Sequence, residues 1–158
     1  MSSGRRTLRM ATEEQRADSS IVGVWRLVSF ATADEHGGTR PYWDDQASGL
    51  IVYTLDGRLS AQVYDTRRAR LGTSWELASP RAAQQAFTRM ASYYGTFRLD
   101  TTRHLVTHVV EGAMSPDWVG TELVRAYRFL GPDRLELRVV TSADGSTPGE
   151  PVLVWDRI

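Results

Sequence analysis

The chain has 158 residues, and its 19 basic and 19 acidic side chains give a formal net charge of zero at neutral pH. This balance argues against nucleic acid or an anionic membrane as a partner, because no net positive field would attract either polyanion. The chain has no cysteine, which excludes disulfides, thiolate metal sites and a cysteine nucleophile.

Residues 1–18 are polar and lack apolar periodicity, so we expect a disordered or loosely held tail there. The pair Arg5-Arg6 is not followed by the apolar stretch of an export signal, and we therefore expect a cytoplasmic protein. Every apolar run is too short to span a bilayer, which predicts that the protein has no membrane partner. The sequence thus predicts a single domain over residues 19–158.

Short β-rich runs alternate with turn residues through this domain, as is typical of a sandwich or barrel. The predicted strands are 22–32, 50–54, 59–64, 93–100, 104–111, 122–130, 134–140 and 152–157, with a further short run at 40–43. Alternation with charged residues predicts that Leu135, Leu137 and Val139 face inward. By the same pattern, the inward residues of 93–100 are Tyr93, Phe97 and Leu99.

The strongest hairpin signal is Asp56-Gly57, which joins the strands 50–54 and 59–64. A two-residue loop there predicts that Ile51 pairs with Gln62 and that Tyr53, Gln62 and Tyr64 share a face. Both faces of this hairpin are apolar enough that the pattern leaves open which one lines the interior.

One helix is predicted after Ser79, a good N-cap residue, with Pro80 at the first helical position. An apolar stripe follows at helical spacing and consists of Ala83, Ala86, Phe87, Met90 and Ala91. We expect this helix to pack against the barrel or to plug one of its mouths.

The two ends of the domain predict how the sheet closes. A strand begins with Gly23-Val24-Trp25, and Arg157 stands next to the C-terminal residue. A guanidinium on an indole face is worth about 0.5–2 kcal/mol, and this contact would join the first strand to the last.

These ends and the motifs between them resemble the bacterial lipocalin-like domain family, a calycin-type barrel. The motifs are Gly49-Leu50-Ile51-Val52-Tyr53-Thr54, Asp56-Gly57, Ser60-Ala61-Gln62, Tyr94-Gly95-Thr96-Phe97, Glu111-Gly112 and Trp118-Val119-Gly120-Thr121. The resemblance implies an all-β fold: a single antiparallel barrel of about 8–10 strands with one helix and a central pocket. Some bacterial relatives are cofactor-independent cyclases of natural-product pathways, and the resemblance implies such an activity here.

A metal site is not expected. His104 and His108 are four residues apart on one strand, and side chains at that spacing are about 13 Å apart. Zinc–nitrogen bonds are only about 2 Å long, so one ion cannot bridge this pair. The sequence also lacks the motifs of a nucleotide site or an activated serine, and we expect no cofactor.

Aromatic and amphipathic side chains are the best candidates for a ligand site, because they combine apolar surface with hydrogen-bonding tips. The candidate catalytic residues, as hydrogen-bond donors, are Tyr53, Gln62 and Tyr64. The candidate substrate-binding residues are Trp75, Met90, Tyr94, His108 and Trp118. The alternative for each residue is that it only fills the core.

Three hypotheses follow for the function. The leading one is a cofactor-independent cyclase that folds a hydrophobic, polyketide-like polyene for [4+2] or [6+4] cycloaddition, since holding the reacting ends together can supply up to about 7–11 kcal/mol. The alternative is a non-catalytic carrier of a hydrophobic small molecule. The third is an interaction module whose barrel surface forms a homo-oligomer.

Overall fold

Nine antiparallel strands contain more than half of the residues described in this computed structural model, which describes residues 20–36, 38–140 and 149–158. The predicted tail at 1–18 lies outside the described residues. The strands are β1 (Gly23–Ala33), β2 (Thr39–Pro41), β3 (Ala47–Tyr53), β4 (Arg58–Asp65), β5 (Met90–Asp100), β6 (Leu105–Ala113), β7 (Glu122–Gly131), β8 (Arg134–Val139) and β9 (Pro151–Arg157). No helix in these described segments is both long and apolar enough to cross a membrane.

Eight of the strands form a closed barrel, which confirms the predicted fold. Neighbours pair in the order β1-β3-β4-β5-β6-β7-β8-β9, and β9 pairs back onto β1. The short β2 pairs only with the end of β1, outside this ring. Closure leaves the ring without a free edge that could pair with another chain.

The predicted contact between the two ends of the domain is confirmed, and it seals one end of the barrel. The Arg157 guanidinium lies 4.0 Å from the Trp25 ring centroid and donates to the Val22 carbonyl at 2.8 Å. Trp25 is fully buried, and its indole N–H donates to the Ile21 carbonyl at 2.8 Å. The tight connections β3–β4, β5–β6 and β7–β8 lie at this same end.

The β3–β4 hairpin differs from its prediction by one residue. Tyr53 pairs with Leu59 and Ile51 pairs with Ala61, because the loop is one residue longer than the two-residue turn assumed for Asp56-Gly57. Gly57 has a φ of 81°, the left-handed conformation that closes a three-residue loop. A one-residue slip moves every side chain of a strand to the opposite face, so Gln62 does not share the inward face of Tyr53.

The opposite end of the barrel carries the long connections. The longest joins β4 to β5 and contains a 3-10 turn (Trp75–Leu77) and helix α1 (Pro80–Thr88). Asp65, fully buried at the end of β4, anchors this connection through ion pairs with Arg67 at 3.1 Å and with Arg89. The Arg67 hydrogen bond lowers the pKa of the Asp65 carboxyl to about 2, so the carboxylate is charged near neutral pH.

Helix α1 begins as predicted, since the Ser79 hydroxyl accepts from the Ala82 amide at 3.3 Å and Pro80 occupies the first turn. Its predicted role as a plug is wrong: no residue of the helix is buried, and none lines the cavity. The apolar stripe from Ala83 to Ala91 overstated the packing face of the helix, because Met90 and Ala91 belong to β5.

Candidate functional site

A cavity of about 320 Å³ lies inside the barrel between the Trp25 end and the long connections. Residues of all eight barrel strands line it, among them Ala91 and Tyr93 of β5, and so does Trp118 of the β6–β7 connection. A bulge at Val28 shifts the alternation of β1, so that Leu27 and Phe30 both face inward. The small side chains of Ala61 and Ala91 keep the space between the strands open.

Most of the cavity wall is apolar, and its inward faces match the predicted ones. The predicted inward residues Leu137 and Val139 of β8 line the cavity, and Leu135 is fully buried beneath it. Tyr93, Phe97 and Leu99 likewise face the interior. The β-strand alternation was therefore sufficient to assign the faces of β5 and β8.

A chain of three polar side chains crosses this apolar interior. His108 is 1% exposed; its Nε2 lies 2.8 Å from the Tyr53 hydroxyl, and its Nδ1 lies 2.9 Å from the Tyr93 hydroxyl. His108 and Tyr93 line the cavity, whereas Tyr53 does not and reaches the site through His108. The edge of Trp118 packs on Tyr93, with ring centroids 5.9 Å apart.

The protonation of this chain follows from burial. Desolvation, followed by the charge of Arg125, lowers the pKa of His108 well below 6.5, so its imidazole is neutral near neutral pH. Burial likewise raises the pKa of Tyr53 well above 10 and raises that of Tyr93, so both phenols are protonated.

With both phenols protonated and the imidazole neutral, the direction of the hydrogen bonds depends on the tautomer of His108. Among the described residues His108 is the partner of the buried Tyr53 hydroxyl, so the tautomer that satisfies this hydroxyl is the one in which the Tyr53 O–H donates a hydrogen bond to Nε2. A neutral imidazole has one donor and one acceptor nitrogen; Nδ1 therefore donates to the Tyr93 oxygen. The Tyr93 O–H is left free to donate to a molecule in the cavity.

Arg125 of β7 is the one charged side chain among the described residues that line the cavity. It lies close enough to Tyr93 to oppose, by its charge and a hydrogen bond, the burial that raises the pKa of that phenol. Its Nη1 donates to the neighbouring Val124 carbonyl at 2.9 Å. Within the described segments no carboxylate forms an ion pair with it.

Trp155 of β9 adds a second unsatisfied donor. It is 2% exposed and lines the cavity, and its indole N–H has no hydrogen-bond partner among the described residues. A buried donor without a partner is costly, but this nitrogen has almost no accessible surface, so the ring of Trp155 rather than its N–H forms the cavity wall.

The structure brings together three of the predicted site residues. His108 and Trp118 line the cavity, and Tyr53 hydrogen-bonds to His108. These three lie at one site even though they come from separate parts of the sequence.

The other five predicted site residues lie away from the cavity. Gln62 is exposed on the outer face and donates to Ser60 at 3.2 Å. Tyr64 and Met90 pair on the same outer face, where Arg68 contacts both of them. Tyr94 and Trp75 are 56% and 76% exposed. The hairpin slip explains the placement of Gln62 and Tyr64, because it reverses the faces of β4.

Three residues of the site were missing from the sequence-based set: Tyr93, Arg125 and Trp155. Arg125 had a detectable signal, because it alternates in phase with the apolar residues Leu123, Tyr127 and Phe129 on β7. An arginine in the inward phase of a strand is unusual. Tyr93 was predicted to face inward, but the alternation alone did not distinguish cavity wall from filled core.

No group of three or more metal-ligating side chains that could hold an ion occurs in the part of the chain that the structure describes. His104 adopts a positive φ of 54° before β6 and packs its ring edge on Tyr127, so it does not join His108 in the interior.

Comparison with known proteins gives one family match. Residues 22–158 match the model of a family described as a lipocalin-like domain. No curated protein matches the chain significantly.

Among solved structures the chain is similar to designed barrels. A redesigned β-barrel is 14% identical, with a TM-score of 0.43 over 90% of this chain and 96% of the other. A de novo designed fluorescence-activating β-barrel is 13% identical, with a TM-score of 0.43 over 90% and 97%. The protein EF1p2_mFAP2b, bound to DFHBI, is 11% identical, with a TM-score of 0.44 over 92% and 100%.

Proposed function

Because the chain belongs to the lipocalin-like domain family, we propose that it binds a compact, mostly apolar molecule inside its barrel. The observation that supports this proposal is the cavity of about 320 Å³ with its apolar wall. Ligand pockets typically measure about 300–1,000 Å³ and combine apolar walls with a few placed polar groups. The cavity is at the small end of that range, which favours a short or compact ligand.

The polar groups of the wall indicate that the ligand carries a hydrogen-bond acceptor. The free O–H of Tyr93 and the guanidinium of Arg125 are both donors at the cavity wall. His108 holds the Tyr93 oxygen in place, and the fully buried Tyr53 holds His108. An acceptor such as a carbonyl oxygen would meet donors that are already oriented, which limits the entropy lost on binding.

The binding proposal is tested with N-phenyl-1-naphthylamine, a neutral dye whose fluorescence increases in apolar surroundings. We expect saturable enhancement with the wild type and its loss in Ala91→Phe, because the new ring fills the cavity that Ala91 lines. The matched control is Ser92→Phe, whose side chain projects from the outer face next to Gln62. Equal dye binding by the two variants, both folded by circular dichroism, would contradict the proposal.

A second proposal is catalytic: the barrel acts as a cofactor-independent cyclase of natural-product, polyketide-type biosynthesis. The observation that favours it is the oriented Tyr93 donor in a mostly apolar cavity inside the barrel. A cycloaddition forms two carbon–carbon bonds from π electrons of a single bound chain and releases no atom. Confinement lowers the entropic part of its barrier, and a hydrogen bond to a conjugated carbonyl helps if it strengthens in the transition state.

The catalytic proposal is tested with short linear polyenes that carry a conjugated carbonyl. We expect faster ring closure and altered product ratios relative to a protein-free control, with a smaller effect in Tyr93→Phe. If substrates bind stoichiometrically and are recovered unchanged, the protein is a carrier and the catalytic proposal fails.

A further inference from the structure

Arg125 is the one arginine among the described residues that lines the cavity. Seven of the other fourteen described arginines pair with carboxylates, as Arg98 does with Glu122 at 2.8 Å and Arg128 does with Glu136 at 3.1 Å. Arg125 instead points into the cavity, where the described lining residues include no acid. Its charge therefore has no ion-pair partner within the described segments.

The described groups around Arg125 include a neutral donor. The Tyr93 O–H is free, and Tyr93 lines the same cavity. The acceptor nitrogen of His108 is occupied by Tyr53. Among the described lining residues, the wall therefore offers a positive charge and a neutral donor, and no acid that would repel an anion.

From this arrangement we infer that the ligand is an apolar monocarboxylate, whose carboxylate binds Arg125 while its apolar body fills the cavity. The inference rests on the proposed binding function and names the ligand class for the same site. A single guanidinium neutralises a single negative charge, which favours a monoanion over a phosphate carrying nearly two. The planar fork of arginine also matches the two oxygens of a carboxylate.

The apolar setting strengthens this preference. A charge held against apolar walls has lost part of its hydration, and a hydrogen-bonded counter-ion compensates for that loss far better than a neutral acceptor does. Tyr93 then has an acceptor available, since a carboxylate has more lone pairs than one guanidinium uses.

The test compares two probes of the same shape, naphthalene-2-carboxylate and naphthalene-2-carboxamide, as competitors of bound N-phenyl-1-naphthylamine at pH 7.5. We expect the carboxylate to displace the dye at a concentration about tenfold lower than the amide, as charged hydrogen bonds exceed neutral ones by about that factor. This comparison uses the wild-type protein and needs no variant.

Two arginine variants then show which charge causes the preference for the carboxylate. Arg125→Met should abolish the preference for the carboxylate while the neutral dye still binds. The matched control, Arg128→Met, removes an arginine from the outer face of the same strand and should keep the preference.

The outcomes separate the two proposals. If the dye itself does not bind, the proposed binding function fails, and the inference fails with it. If the dye binds but the amide competes as well as the carboxylate, or neither compound competes, the inference alone is overturned. An equal loss of preference in both arginine variants would also overturn it, because the charge effect would then not belong to the cavity.

Discussion

Tyr93 and Tyr94 are adjacent residues of β5 with opposite environments. Tyr93 lines the cavity and hydrogen-bonds to His108, whereas Tyr94 is 56% exposed on the outer face. The same chemical change at the two positions therefore separates the contribution of the interior hydroxyl from that of a tyrosine hydroxyl in general.

We predict that Tyr93→Phe weakens binding of 2-acetylnaphthalene by about 0.5–1.5 kcal/mol, the worth of one neutral hydrogen bond. Binding of naphthalene, which has no acceptor, should be unchanged. The variant should also lose about 1–3 kcal/mol of folding stability, because the Nδ1–H of His108 is left buried without an acceptor. Dye displacement and urea unfolding measure the two effects, and Tyr94→Phe should show neither.

His108 predicts a pH dependence of stability. Burial lowers its pKa well below 6.5 in the folded protein, while the unfolded chain titrates near 6.5. Below that pH the unfolded state binds a proton that the folded state does not, so stability falls by up to about 1.4 kcal/mol per pH unit. Above pH 7 this contribution is complete and constant.

Urea unfolding between pH 7 and pH 5 checks this prediction. His108→Gln should be less stable at pH 7 and should show a flatter pH profile, whereas His36→Gln, at an exposed turn, should keep the wild-type slope. A profile for His108→Gln as steep as that of the wild type would show that other groups cause the decline.

Local signals in the sequence predicted the elements well, because each strand and its turns carry their own pattern. All eight barrel strands were predicted close to their observed bounds, and the N-cap at Ser79 was identified correctly. The register of the β3–β4 hairpin was harder to predict, since Asp56-Gly57 is compatible with loops of two or three residues. That single residue decided the faces of β4 and removed Gln62 and Tyr64 from the interior.

The site was only partly predictable, because its contacts join residues that are far apart in the sequence. His108 and Tyr53 were identified individually, but their hydrogen bond joins residues 55 positions apart, and no local pattern encodes such a contact. No local pattern in the sequence predicts the β1 bulge at Val28 either. Arg125, by contrast, carried a usable signal in its inward phase on β7.

The β3–β4 loop gives a prediction at the scale of the element. Gly57 has a φ of 81°, and a Cβ added there would meet no atom within 4 Å. Gly57→Ala should therefore cost about 1–2 kcal/mol, entirely from the left-handed backbone. Gly131 is equally open but has no left-handed φ, so Gly131→Ala should change stability by no more than about 0.5 kcal/mol. Equal effects in thermal unfolding would contradict the three-residue loop.

Across the whole molecule, the two ends of the barrel have different tasks. One end contains the buried Trp25 under the Arg157 guanidinium and the tight hairpins. The other contains the long connections and Trp118, next to the cavity. The first end closes the sheet, and the second surrounds the proposed ligand site.

We predict that Trp25→Ala lowers stability by about 3–5 kcal/mol, as expected for truncating a buried aromatic residue. Trp75→Ala should change it by no more than about 0.5 kcal/mol, because Trp75 is 76% exposed on the β4–β5 connection. Denaturant unfolding followed by circular dichroism compares the two. Similar losses would mean that closure at Trp25 is not what stabilises the barrel.

This division between the ends affects how such a protein can diversify. Substitutions in the long connections at the cavity end leave the Trp25–Arg157 contact intact. Variants of this chain can therefore change ligand selectivity while keeping the stability that this contact provides. Directed evolution toward new ligands should therefore begin with libraries in the β6–β7 connection, which contributes Trp118 to the cavity wall.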